Sequence, residues 1–343
     1  MHGLQPLTPH DGVQYYLDER KSEVTQSTFY EHKTRLNRFL EWCDQEDIDN
    51  LNNLTSRLCR DYMNYRQERV APSTLENEMR TFRLAVKTWE QIQGVGEGLS
   101  KNVKVPTAKK SEKVSELKIE GEQAEAIMEY LGKYEYATLR HMVFALIWHT
   151  GCRISGLRAL DLKDWKPDKY RKPVLSFEHR KATGTPLKKE GNGERDVAVT
   201  DEIATLIEDY IDGPRLDVTD DYDRRPLLTT ENGRPFKTTV QRNIYRVTQP
   251  CYIGWECPYG ENPATCEWTD YNQSSKCPGS VSPHGIRKTN VTHFKNLGFE
   301  YEEISGRVDA SVEVLVDHYD HPSTAEERER QFDMMDRMER GSD

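Results

Sequence analysis

Gly94-Val95-Gly96-Glu97-Gly98 interrupts a chain that is otherwise patterned for helices, and a lysine-rich stretch around Pro106, from Lys101 to Lys118, follows it. Glycine and proline end regular structure, so the segments on either side must each close a core of their own. A length of 343 residues leaves room for two such cores. The reading is therefore a helical domain over 1–100, a basic linker over 101–118 and a second domain over 119–343.

The first segment reads as a bundle of about four helices. From Ser27, a fitting N-cap, Phe29, Leu36, Phe39, Leu40 and Cys43 share one face, with Glu31, Lys33, Arg35 and Glu41 opposite. A shorter helix is expected over Ser56 to Arg69. Pro72 opens another, in which Ser73 and Glu76 match a capping box and Leu75, Met79, Phe82, Val86 and Trp89 form the buried stripe.

Beyond the linker, helices are expected over Glu122 to Tyr130 and Ala137 to His149, the latter closed by Gly151. Pro173 to Glu178 and Asp196 to Thr200 read as strands joined by a Gly- and Lys-rich loop. Thr200 caps a helix running to Gly213-Pro214, and Asn232-Gly233 marks a turn. Further helices are expected over Thr239 to Val247, Gly285 to Leu297 and Ser311 to Tyr319. The fold class is mainly α, with an α+β second domain holding a small β-sheet.

Composition narrows the class of protein. With 35% hydrophobic and 31% charged residues the chain is very polar, yet 6 Trp, 17 Tyr and 9 Phe are too many for a disordered one. The longest apolar run, Met142 to Trp148, falls far short of the roughly 20 residues of a membrane span. The opening Met1-His2-Gly3-Leu4-Gln5-Pro6 lacks a basic start and an apolar stretch, which leads us to expect a cytoplasmic protein with no membrane partner. A net charge of −10 argues against nucleic acid as a partner, although binding depends on a local basic surface that net charge does not locate.

Of seven cysteines, Cys43, Cys59 and Cys152 lie singly in apolar patterns, whereas Cys251, Cys257, Cys266 and Cys277 cluster in a segment poor in periodic apolar residues. Four thiolates on one structural zinc could fold such a segment. The spacings do not match compact Cys-x-x-Cys knuckles, and free or buried thiols remain the other reading.

Three separated clusters share one chemistry: Thr150-Gly151-Cys152-Arg153, His284-Gly285-Ile286-Arg287 and His318-Tyr319-Asp320-His321. Two arginines can grip a phosphate through bidentate hydrogen bonds, a histidine can move a proton, and a tyrosine can attack. In this order the clusters resemble the tyrosine recombinases, the phage-type integrases. The resemblance extends over nearly the whole chain, with residues 1–100 as a SAM-like core-binding domain and 119–343 as the catalytic domain, carrying a Cys-rich insertion at 251–277. Acidity and the Val308-Asp309-Ala310-Ser311 context look like integrases of halophiles, specifically halophilic archaea.

The resemblance implies a site-specific DNA recombinase and integrase, a strand transferase for double-stranded DNA recombination. It would act as a homo-oligomer, a tetramer on paired sites, with no cofactor for the chemistry. Arg153 and Arg287 would hold the scissile phosphate, His284 would assist proton transfer, and Tyr319 would form a 3′-phosphotyrosyl link. Lys188 is preferred as the general acid, with Lys189 and Lys181 as alternatives. Lys109, Lys110 and Lys113 would touch DNA from the linker. Two positions depart from the family. Gly156 stands where a supporting carboxylate often follows the first arginine, and Arg307 stands near the place of a further phosphate-contacting residue. A type IB topoisomerase, or a DNA-binding protein with a decayed site, are the competing readings.

Overall fold

A computed structural model describes residues 3–109, 119–319 and 324–340. The chain divides into two compact units, Met1–Ser115 and Glu116–Asp343. In the first, α1 (Pro9–Arg20), α2 (Gln26–Gln45), α3 (Ser56–Gln67), α4 (Pro72–Gln91) and a single turn, α5 (Leu99–Asn102), surround one core. Phe39, wholly buried, sits at its centre, with the rings of Trp42, Tyr62, Phe82 and Trp89 between 4.8 and 6.0 Å from its own. Helix α1 lies close on the bundle because Gly12 leaves room: a Cβ there would stand 2.4 Å from Leu51 Cδ1, and the Gly12 carbonyl accepts from Trp89 Nε1 at 2.6 Å. A bidentate Arg66–Glu78 pair, at 2.8 and 3.0 Å, joins α3 to α4 below the surface.

Two local expectations are corrected here. Helix α2 begins two residues earlier than Ser27 suggested, because extended Thr25 caps it by accepting from Thr28 N. Helix α4 starts at Pro72, which puts Ser73 inside the first turn and leaves no capping box. Glu76 instead pairs with Arg80 and accepts the main-chain N–H of Ala108 at 2.9 Å. The early part of the expected linker is thereby fastened to α4, since Arg83 also donates to Val103 O and both Val103 and Ala108 are buried. Lys109 is exposed, and Lys110 and Lys113 lie outside the described residues.

The second unit contains α6 (Gly121–Tyr134), α7 (Leu139–Thr150) and α8 (Ile154–Ala159), strands β1 (Trp165–Lys166), β2 (Val174–Phe177) and β3 (Arg195–Ala198), then α9 (Asp201–Asp212) and α10 (Lys237–Val247). Last come α11 (Pro283–Asn296), α12 (Tyr301–Val308), α13 (Val312–His318) and α14 (Thr324–Arg340). Helix α7 carries Met142 to Ile147 buried on all sides and packs against α6, α8, α9, α10 and α11. An all-round apolar helix belongs at the centre of a domain. The strands form an antiparallel sheet in the order β1-β2-β3, with Leu175 opposite both Trp165 and Val197. Strand β2 is buried throughout, and the long connection from β2 to β3 carries the candidate lysines. A smaller core of Val291, Ile304, Val308, Ala310, Leu315 and Tyr319 joins α11, α12 and α13. Among the described residues no helix is long and apolar enough to cross a membrane.

Burial holds His141 and His149 down at about 4, far from the usual histidine value. The unfolded chain therefore binds protons that the folded one refuses as pH drops below about 6.5, so stability present above that pH is lost progressively towards pH 4. Thermal melts at pH 7.5 and 4.5 should show this loss. His149→Leu, which removes a ring whose Nε2 is buried without a partner, should flatten it. An unchanged pH dependence in that variant would assign the effect elsewhere.

Candidate active site

Helix α7 ends at Gly151, whose left-handed φ of +60° closes the last turn. Nothing larger fits, because a Cβ would meet Asn290 Oδ1 at 2.4 Å and Val308 Cγ1 at 2.6 Å. Two residues later Arg153 stands as N-cap of α8, and its guanidinium reaches across to the turn after α12. There Nη1 donates to the main-chain oxygen of Asp309 at 2.8 Å and to its Oδ2 at 2.6 Å.

Arg287 is 1% exposed, a depth at which a guanidinium must be satisfied or have a purpose. Its Nη1 donates to Gly151 O at 2.5 Å and also to Val308 O. Nε and Nη2 are buried without a well-formed hydrogen bond, and the Tyr319 side chain is the polar group that acts on the guanidinium there. Its Cζ lies 5.0 Å from the centre of the Tyr319 ring, and the His284 ring meets the same tyrosine edge-on at 5.1 Å. Tyr319 is 4% exposed, held by the small core around it at the C-cap of α13.

His284 enters at the second position of α11, after Ser282 has capped the helix by accepting from Gly285 N. The residue is exposed to water, yet its close neighbours take away part of the ring's hydration. That desolvation, reinforced by Arg287, Lys288, Arg153 and Lys188, pushes its pKa down to about 4. At pH 7 the imidazole is therefore neutral, with a ring nitrogen free to accept a proton, and an anionic phosphate beside it would raise its basicity again.

The lysine-bearing connection is anchored by charge. Arg180, at the end of β2, donates to Asp164 at 2.5 and 2.8 Å and to Ala159 O. Arg224 donates to Thr185 Oγ1 and Thr183 O, and Leu187 N donates to His179 Nδ1. Lys188 and Lys189 follow buried Leu187. Lys188 is among the cations felt by His284, and Lys189 Nζ lies 3.3 Å from Asp309. Lys181 sits on a separate 3-10 turn at the start of the connection.

Arg307 does not point towards this group. Its Nη1 donates to Ala198 O at 2.9 Å, and Nε and Nη2 both donate to His149 O at 3.3 and 2.8 Å. Burial, with Arg195 beside it, lowers its pKa to about 10. Arg307 thus fastens α12 to the end of α7 and to β3. The residue that sequence reasoning missed is Asp309, two positions on. The absent carboxylate at Gly156 was the available signal: a Cβ at 156 would stand 3.3 Å from Phe177, so the position is crowded where α8 crosses β2.

Among the described residues no group of three or more His, Cys, Asp or Glu side chains is placed to hold an ion. Cys257 and Cys277 are near enough to add to the burial that raises the Cys251 thiol. The segment is tied down in another way, with Arg246 donating to Thr269 O and Gln249 Nε2 to Trp268 O at 2.8 Å. Thr248 Oγ1 accepts from Val281 N at its far end.

Comparison with known proteins bears on the fold. Residues 10–88 match the phage integrase SAM-like domain. Over 95% of this chain and 99% of the other, the structure is similar to the Tn1549 transposon integrase in complex with a circular intermediate DNA, at a TM-score of 0.62 and 15% identity. It is also similar to lambda integrase as a dimer on a core site, covering 95% of this chain and 78% of that one, at a TM-score of 0.59 and 10% identity. A lambda integrase tetramer bound to a Holliday junction matches at 0.61, with 10% identity over 89% of this chain and 78% of that one. No protein of curated function matches the sequence. The chain has the fold of the tyrosine recombinases.

Arg307→Met keeps the aliphatic stem and removes three donors, which should cost on the order of 1–3 kcal/mol for the carbonyls left unpaired. Its melting temperature should fall, while reaction at Tyr319 per folded molecule stays close to the parent. A parental melting temperature with loss of reaction would return Arg307 to the site.

Proposed function

We propose that this protein is a site-specific DNA recombinase of the integrase kind, cutting and rejoining strands through a 3′-phosphotyrosyl intermediate. The observation that carries the reading is Tyr319 packed between the His284 imidazole and the buried Arg287 guanidinium, two of whose nitrogens lack a well-formed hydrogen bond. An unpaired buried donor is costly unless a ligand completes it, and a phosphate oxygen suits a guanidinium fork. The recombinase fold and the SAM-like match over 10–88 support DNA as the partner. Lambda integrase, described on DNA as a dimer and as a tetramer, supports assembly of several copies on paired sites.

In the proposed reaction the Tyr319 oxygen attacks phosphorus and its proton passes to neutral His284. Arg153 and Arg287 hold the non-bridging oxygens and stabilise the charge that builds on them. The bond to the 5′-oxygen breaks, and that oxygen leaves with a proton from Lys188. Attack by another strand's 5′-hydroxyl reverses the steps and frees the tyrosine. The energy of the broken bond is held in the phosphotyrosine, so strand joining needs no nucleotide.

A DNA duplex nicked beside its site should trap a covalent adduct with the parent and none with Tyr319→Phe, which loses only the attacking oxygen and should bind DNA as before. Adduct mapped to Tyr301 would move the nucleophile. Tight binding with no adduct from the parent would favour a DNA-binding protein without catalysis. The general acid is read separately: a substrate with sulfur in place of the 5′-leaving oxygen departs with little protonation and should rescue Lys188→Ala. Rescue of Lys189→Ala alone would transfer the role to its neighbour.

A further inference from the structure

Residue 309 takes up both hydrogens of Arg153 Nη1, one through its main-chain oxygen and one through Oδ2. A guanidinium carries five N–H groups, so the three on Nε and Nη2 are left to meet a phosphate. The same carboxylate, 9% exposed, holds Lys189 through its other oxygen, and a Cβ on Gly193 would lie 3.4 Å from Oδ2. Asp309 therefore joins the arginine turn, the lysine connection and the segment leading into the tyrosine helix. It does so from a left-handed cap position, φ 57° and ψ 56°, that Asp and Asn tolerate better than most residues.

We propose that Asp309 is a positioning residue for the reaction: it fixes the free edge of the Arg153 fork towards the scissile phosphate and keeps Lys189 engaged, leaving Lys188 as the mobile proton donor. The inference rests on the recombinase reading above. It has a signature that a merely structural ion pair lacks. A carboxylate beside an incoming phosphate repels it, so removing the charge should tighten DNA binding even as it slows cleavage, because the arginine is no longer aligned.

The test uses the full chain and a nicked duplex, with single-turnover cleavage and DNA affinity measured on Asp309→Asn, Asp309→Glu, Arg153→Ala and the Asp309→Asn/Arg153→Ala double variant. Misalignment of a catalytic group typically costs about 10²-fold, and Asp309→Asn should lose cleavage on that scale while binding DNA as tightly as the parent or more tightly. The double variant should cleave no more slowly than Arg153→Ala alone, and Asp309→Glu should recover part of the rate. Parental cleavage by Asp309→Asn, or losses that multiply in the double variant, would overturn the proposal.

A second reading does not depend on cleavage. Acetylation of the lysines, followed by mass spectrometry, should show Lys189 modified several-fold faster relative to Lys188 once Asp309 is Asn. An unchanged ratio would remove the pairing. A parent that forms no adduct but shows the expected ratio would instead locate the failure in the recombinase reading.

Discussion

Arg287 is the bolt of the second unit. A guanidinium in the interior is tolerated when its charge is met by fixed dipoles, and here one nitrogen donates to the carbonyls of Gly151 and Val308. Those carbonyls end α7 and α12, and each is followed within two residues by a member of the site: Arg153 after Gly151, Asp309 after Val308. The Arg153–Asp309 contact is possible because Arg287 has already brought the two turns together. Gly151 completes the arrangement, since any side chain there would push Val308 and Asn290 away. Loss of Arg287 would thus misplace Arg153 as well.

Elements with a strong apolar period were legible in the sequence. The stripes of α2 and α4, the buried run of α7 and the caps at Gly151 and Thr200 all follow from local spacing and capping chemistry. Helix α1 offers only Val13, Tyr16 and Leu17 to the core in a polar segment, and β1 is two residues long, so neither announces itself. Helix α12 was also missed, and with it the direction of Arg307. Spacing could place that arginine near the tyrosine, but only the packing of α12 on β3 turns it towards His149 and Ala198. The ties of the Cys-rich segment are hard to read for a related reason. Composition showed a segment without a core, yet the side chains of Arg246 and Gln249 that serve its carbonyls lie on α10 or just beyond it, outside the segment itself.

Asp309 was unreadable for a deeper reason. Its partners are distant in sequence, and the contact exists only because a third residue, Arg287, fixes the main chain on both sides of it. An acid two positions after an arginine carries no pattern of its own. The absence at Gly156 gave half the information, that the usual carboxylate is missing, and Phe177 crowds that position, since a Cβ there would lie 3.3 Å from its ring.

The acidity of the chain, −10 in formal charge, weighs against a phosphate-binding role only as far as those charges reach the site. Arg180, Arg224 and Arg234 lie in a buried network with Asp161, Asp164 and Asp220, where opposite charges meet at close range and contribute little to the field outside. Around His284 the balance differs: Arg287, Lys288, Arg153 and Lys188 all act on the same ring. At physiological salt, exposed charges further apart than about 8 Å are largely screened from one another. A phosphate entering beside Tyr319 therefore feels this cation group first, and the acidic remainder of the surface only weakly. Net charge sums over distances that the solvent does not transmit, so it sets how the protein as a whole behaves in solution and leaves the anion preference of a pocket to its nearest neighbours.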